Sequence, residues 1–396
     1  MKKKLLSWAL AAAMLLSFAA ALPMTASADV TSGVDVAALT QGDALSAQTS
    51  YVIRDWDGLV RLSELVRTGT DFSGCRVYLT TDLNAAGKSF STIGLYSYPY
   101  ETAVPFNGLF DGQGHTISGL SGVQGLFGCI GKQGVVRNLT VASDLQAESY
   151  VGGVAVYNYG LVERCVNTGD ISNTDKTSAA GGLVGANYGT VRSCTNSGTI
   201  SGHKVGGMVG IHPTGAVNPV VEICTNSGMV DGTSSSGGLV GASIVTATVQ
   251  NCENTGTVKG SGNMGGIVGT AVYGSAIYNC YSSGRAEGIG RAGGLVGQKA
   301  DGILQNCYWL NDISGAPALG MSDAVGFDYN SVQTRNCSAF DFDRALWSPS
   351  GTNGVFMGEA SSGMIYTELT QALNAWVQAY ARQTCFRWEV DTAKSS

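Results

Sequence analysis

Charge is scarce in this chain. Asp, Glu, Lys and Arg make up 13% of its 396 residues, about half the usual share. The net charge is a mild −6 and no basic stripe forms, which excludes nucleic acid as a partner. Histidine is scarcer still. His115, His203 and His212 are the only three, and no two of them stand four residues apart beside a glutamate. The H-E-x-x-H site of a zinc peptidase is therefore missing. The cysteines form no C-x-x-C pairs, so no metal site is expected. Asp55-Trp56-Asp57 and Asp341-Phe342-Asp343 lack the other ligands of a calcium loop. Gly288 to Gly293 fits G-x-G-x-x-G formally, but no helix follows it, and no cofactor is expected. Helical periodicity is also missing between residues 120 and 314, which argues against leucine-rich, ankyrin and tetratricopeptide arrays.

What the chain has is glycine, 56 residues of it, about twice the usual share. Seven short apolar phrases of the type G-G-L-V-G recur, led by Gly125, Gly153, Gly182, Gly207, Gly238, Gly266 and Gly294, spaced 25 to 31 residues apart. A near-fixed period of this size means stacked similar units. Aligned, the units give further columns: Val136, Val162, Val191, Val221, Val249, Ile277 and Leu304, then Leu139 and six cysteines three residues on. Ile171, Ile200, Val230, Val258, Ala286 and Ile313 follow after six more. Short β-branched runs broken by Gly and Asn read as strands. Three strands per unit predict an all-β fold, a right-handed parallel β-helix of about seven coils. Val191 and Cys194 are three apart and both read as buried, which requires a corner or bulge between them in every coil.

The boundaries follow. Lys2 to Lys4, the apolar run Leu5 to Leu22 and Ala26-Ser27-Ala28 predict a signal peptide over 1–28. This implies an exported protein, secreted or at the cell surface, with no membrane span once the signal is removed. Residues 29–50 read as a flexible leader, 51–120 as an N-terminal cap and first strands, and 121–314 as the repeats. Residues 315–396 read as an irregular segment ending in a second cap, with the chain possible to continue beyond Ser396. Leu59, Leu62, Leu65 and Val66 share one helical face behind Asp57 as N-cap, and Leu369 to Tyr380 carry the same spacing. These two helices are expected to cover the ends of the array.

Cys165, Cys194, Cys224, Cys252, Cys280 and Cys307 form one column and read as small core residues. Cys75, Cys129, Cys337 and Cys385 stand outside it, with pairing open. Asn167, Asn196, Asn226 and Asn254 open N-T-G or N-S-G turns and read as a structural ladder. Tyr157, Tyr159, Tyr188 and Tyr273 follow the glycine phrases and are the candidate ligand-binding residues, able to stack on sugar rings or a partner protein; Tyr96, Tyr98 and Tyr100 form a second cluster before Phe106 with no purpose assigned. Glu163, Asp170, Asp175, Glu222, Asp231, Glu253, Glu287 and Asp301 are dispersed, so no catalytic residue is assigned and no enzyme is expected.

The glycine phrases, the opening run from Phe106 to Leu120 and the C-x-N-x-G turns at Cys165, Cys194, Cys224 and Cys252 resemble the GLUG motif. The resemblance implies a bacterial secreted or surface β-helix. It covers residues 51 to 314 and is expected to take in the cap to 391, and the coil of Cys307 departs from it with Tyr308, Trp309 and Asn311 at the turn. Such repeats also occur beside IgA-specific metallopeptidases. Three functions stay open: an adhesin-like binding solenoid without a catalytic site, facing a glycan or a host or cell-surface protein; a glycan-active lyase or hydrolase; and a non-catalytic segment of a larger exported peptidase.

Overall fold

The computed structural model describes residues 30–97, 102–300 and 302–310, and the backbone of four later strands, Leu319–Ser322, Val332–Cys337, Phe342–Arg344 and Phe356–Gly358. The expected signal peptide, C-terminal helix and final strand lie outside the described residues, as do Ile313 and Cys385.

The chain winds into a parallel β-solenoid with three faces. On the valine–cysteine face one rung column runs Val77, Phe110, Val136, Val162, Val191, Val221, Val249, Ile277, Leu304 and Val332, all paired in parallel. The isoleucine face stacks Leu145, Ile171, Ile200, Val230, Val258 and Ala286. The glycine face stacks Phe127, Ala155, Val184, Val209, Val240, Val268, Val296 and Leu319. There are about nine turns rather than seven. The added turns carry no glycine phrase but keep the apolar rung residue.

The Leu139 coil and five of the six cysteine coils turn the corner before the cysteine column by one left-handed residue, and the Cys307 coil passes it within one strand, Ile303–Leu310, with a register shift. Asn138, Arg164, Ser193, Ile223, Asn251 and Asn279 all have φ between 50° and 57°. A single residue in that region redirects the chain, so Val191 and Cys194 both reach the interior despite their spacing. At this corner the thiols add a second contact to carbonyls that already accept a backbone N–H, as the Arg192 carbonyl does from Arg164 N at 3.0 Å. Cys194 Sγ lies 3.2 Å from the Arg192 carbonyl and 3.7 Å from that of Val162. The same pair of contacts recurs at all six cysteines. Burial pushes the Cys165, Cys224 and Cys280 thiols up. All eight cysteines with described side chains are free and buried, Cys75 and Cys129 included.

Across the interior, the two sequence signatures prove to be one unit. Asn167 Nδ2 donates to Asn196 Oδ1 at 2.7 Å, Asn196 to Asn226 at 2.8 Å and Asn226 to Asn254 at 2.8 Å. Each amide also donates to the carbonyl of the turn glycine two residues on. A Cβ on Gly182 would lie 2.6 Å from Asn196 Oδ1, so glycine there lets the amide column through. The column ends at Ser282, and Trp309 takes the next rung against Gly294. That substitution is the departure of the last cysteine coil.

The N-terminal cap differs from the sequence reading. The helix α1 spans Trp56–Arg67, and its N-cap is Asp55, whose Oδ1 accepts from Gly58 N at 2.9 Å. Asp57 lies inside the first turn, where its charge suits the helix dipole. Residues 30–50, expected as a flexible leader, hold a strand, Val34–Asp35, paired in parallel with Tyr51 and Val52. This strand covers an edge that would otherwise be open to pairing. Val36 and Leu39 join α1 in the core, and Arg61 Nε donates to the Leu39 carbonyl at 2.7 Å. Among the described residues no helix is long and apolar enough to cross a membrane.

Candidate functional site

Two outward features carry chemistry. The first is a cluster of tyrosines. Tyr157 belongs to the strand Ala155–Asn158 rather than to a turn; Tyr159 and Tyr188 follow the strand ends of adjacent coils. Tyr159 and Tyr188 stack with centroids 4.4 Å apart and planes 13° apart. Tyr96 lies 4.3 Å from Tyr157, and Tyr150 lies 5.5 Å from it. Burial pushes the Tyr157 and Tyr159 hydroxyls up, with the neighbouring tyrosines adding to it. Tyr273 stands apart on an exposed turn, 71% accessible and with φ of 55°, so three of the four sequence candidates meet and the fourth does not. Tyr96 and Tyr150 complete the cluster. Tyr98 and Tyr100 lie outside the described residues.

The cluster edges a furrow between the isoleucine and glycine faces. Ala179, Ala186, Ile211 and Ala242 form a small apolar group apart from the main core. Further along, Ser235 Oγ lies 2.8 Å from Thr270 Oγ1, and Asn263 Nδ2 donates to Gln298 Oε1 at 2.6 Å. Outer side chains of two faces can touch only across a concave corner. The furrow is aromatic and apolar at its N-terminal coils and polar at its C-terminal ones.

The second feature is a charge ladder. Asp111, Arg137, Glu163, Arg192, Glu222 and Gln250 occupy one outward register column of the valine–cysteine face. Signs alternate from coil to coil. Arg137 Nε meets Asp111 at 2.8 Å, Arg192 Nη2 meets Glu163 at 2.6 Å and Arg192 Nη1 stands 3.9 Å from Glu222. Gln250 Nε2 donates to Glu222 Oε2 at 2.8 Å. Burial raises the Glu222 carboxyl, while Gln250 and Arg192 pull it back. Glu163 and Glu222 thus do share a column, two rungs apart, but Arg192 fills the space between them. The isoleucine face repeats the device with Asp231, Lys259 and Glu287 in register.

Beside the ladder runs a groove of about 580 Å³. Its floor is the outward column Val135, Leu161, Thr190, Val220 and Thr248, and Tyr159 and Lys132 stand at its turn-side wall. Tyr159 therefore joins the aromatic cluster to the groove. Among the described residues no three side chains of His, Cys, Asp or Glu are grouped to hold a metal.

This geometry defines a parallel β-solenoid with its polar chemistry displayed in columns along the coils. Residues 177–201 match the model of the GLUG motif, so the chain carries a GLUG repeat. The matched segment holds Ala179, Gly182, Cys194 and Asn196, one full set of the column residues. The chain is similar in fold to the crystal structure of a proposed immunoglobulin A1 protease from Bacteroides ovatus, at 18% identity and a TM-score of 0.48, covering 84% of this chain and 88% of that one. No curated protein sequence matches the chain.

Proposed function

We propose that this protein is an exported, non-catalytic solenoid that binds other molecules along its outer faces. The observation that carries this reading is the charge ladder beside the groove, whose three acids are all engaged: Asp111 by Arg137, Glu163 by Arg192 and Glu222 by Gln250. A general acid or nucleophile needs a carboxyl free to meet substrate. Glu163 and Glu222 instead hold a rigid column together, and the groove beside them offers hydroxyl, aromatic and cationic groups. The signal-like N-terminus supports export. The test applies full-length protein to glycan and host-protein arrays and, in parallel, to a panel of polysaccharide hydrolase and lyase assays. Binding without turnover is expected. Turnover abolished by Glu222→Gln or Glu163→Gln would replace this reading with the glycan-active one.

A further inference from the structure

Resting on that reading, we infer that the groove of the valine–cysteine face is a subsite for a linear glycan chain lying parallel to the solenoid axis. Three observations carry it. The floor, from Val135 to Thr248, crosses four rung spacings, roughly 19 Å, so it fits an elongated occupant rather than a compact one. Every strand of that floor is paired on both sides by neighbouring coils. A peptide therefore has no free backbone edge to extend, and strand addition, which supplies most of the affinity for extended peptides, is closed. What faces the groove is side-chain chemistry suited to hydroxyls. From Leu161 onward the floor alternates: Leu161, Thr190, Val220 and Thr248 follow on successive rungs, and both threonines sit half-exposed. This alternation of hydroxyl and apolar surface matches the edges and faces of successive pyranose rings. Arg192 is held in place by Glu163 and is still 35% accessible at its side chain. Lys132 is exposed at the turn-side wall. Tyr159, braced by the stacked Tyr188 ring, offers an aromatic surface at the N-terminal end, and aromatic side chains give large contact area at low entropic cost.

The test is calorimetry of the full-length protein with hexasaccharides of β-1,4-linked glucose, β-1,4-linked N-acetylglucosamine and α-1,4-linked galacturonate. Binding of at least one is expected. Thr190→Trp, which fills the mid-groove from an outward position, should weaken it at least tenfold, as should Tyr159→Ala. Tyr159→Phe should keep most of it, and Tyr273→Ala on the remote turn should leave it unchanged. Circular dichroism and a thermal melt of each variant establish that it is folded. Affinity indifferent to Thr190→Trp in a folded variant would overturn the site. No binding of any of the three oligosaccharides at millimolar concentration would overturn the ligand class. If host proteins on the arrays still bind in that case, the binding solenoid stands and only this subsite falls. If nothing binds, both fall.

Discussion

At the scale of single residues, the columns explain which polar groups the interior tolerates. The asparagine column satisfies each amide twice, except at its start, where Asn167 Oδ1 is buried with no partner. The rung below it is Val141. Val141→Asn should lengthen the ladder by one rung, and its gain of about 1 kcal/mol is measurable by urea denaturation; Val141→Asp, without the amide donor, should destabilise. Two buried ionisable groups set opposite pH limbs. His212 is fully buried, its Nε2 has no partner, and burial pulls its pKa down to about 3. The unfolded chain takes up that proton below the ordinary value of 6.5, so stability falls as pH drops from about 6.5 towards 3. Glu253 is buried and pushed up to about 8. The unfolded chain loses that proton above the ordinary 4.5, so stability falls as pH rises from about 4.5 to 8. Each limb has a slope of at most about 1.4 kcal/mol per pH unit. Chemical denaturation across pH should show His212→Asn flattening the acid limb and Glu253→Gln flattening the alkaline one.

At the scale of the elements, the glycine phrase and the asparagine turn form one contact across the coil. Gly182→Ala would press a methyl onto Asn196 Oδ1 and the carbonyl of Gly207, and should cost more than about 2 kcal/mol by overpacking. In a double-mutant cycle Asn196→Ala should absorb part of that cost, with a coupling of about 1 kcal/mol; strict additivity would show that the two do not touch. Much of this was legible in the sequence, because identical residues at a fixed spacing announce a column. Gly182, Cys194 and Asn196 were visible that way, and so was the need for a corner between Val191 and Cys194. The charge ladder was not, since Asp111, Arg137, Glu163 and Arg192 share a position but alternate in sign, which looks like variation to a search for sameness. Alternation would itself have been the signal. His212 was hidden for a related reason: it stands at the glycine-face corner held by Asn158 and Asn187 in earlier coils, just before a longer loop. Tyr150 was missed, and Tyr96 was legible only as part of a separate tyrosine cluster, because a concave corner, not sequence spacing, brings them to Tyr157. The leader was misread because Val34–Asp35 is too short to show a period; only the open edge it covers explains its order.

At the scale of the whole molecule, the array behaves as a stack in which each coil rests on its two neighbours. Stability in such a stack is close to a sum of coil and interface contributions. The coils differ in length, with 25 residues from Gly182 to Gly207 and 31 from Gly207 to Gly238, yet Val184, Val209 and Val240 stay in one column. Length differences must therefore be absorbed at the corners while the rungs keep register. One consequence is that removal of a whole coil should be tolerated better than removal of half of one. Deleting residues 182–206 joins Gly181 to Gly207, which already occupy successive places in the phrase, since Gly181 pairs with Gly206. The shortened protein should keep its β-sheet circular dichroism and unfold cooperatively at a somewhat lower temperature. Deleting only 182–193 brings the asparagine turn to the place of the glycine phrase, so every inward residue of that coil meets the wrong column. That variant should aggregate or melt without a cooperative transition. Equal loss of structure in both deletions would mean that long-range contacts, and not neighbour-to-neighbour stacking, hold the molecule together.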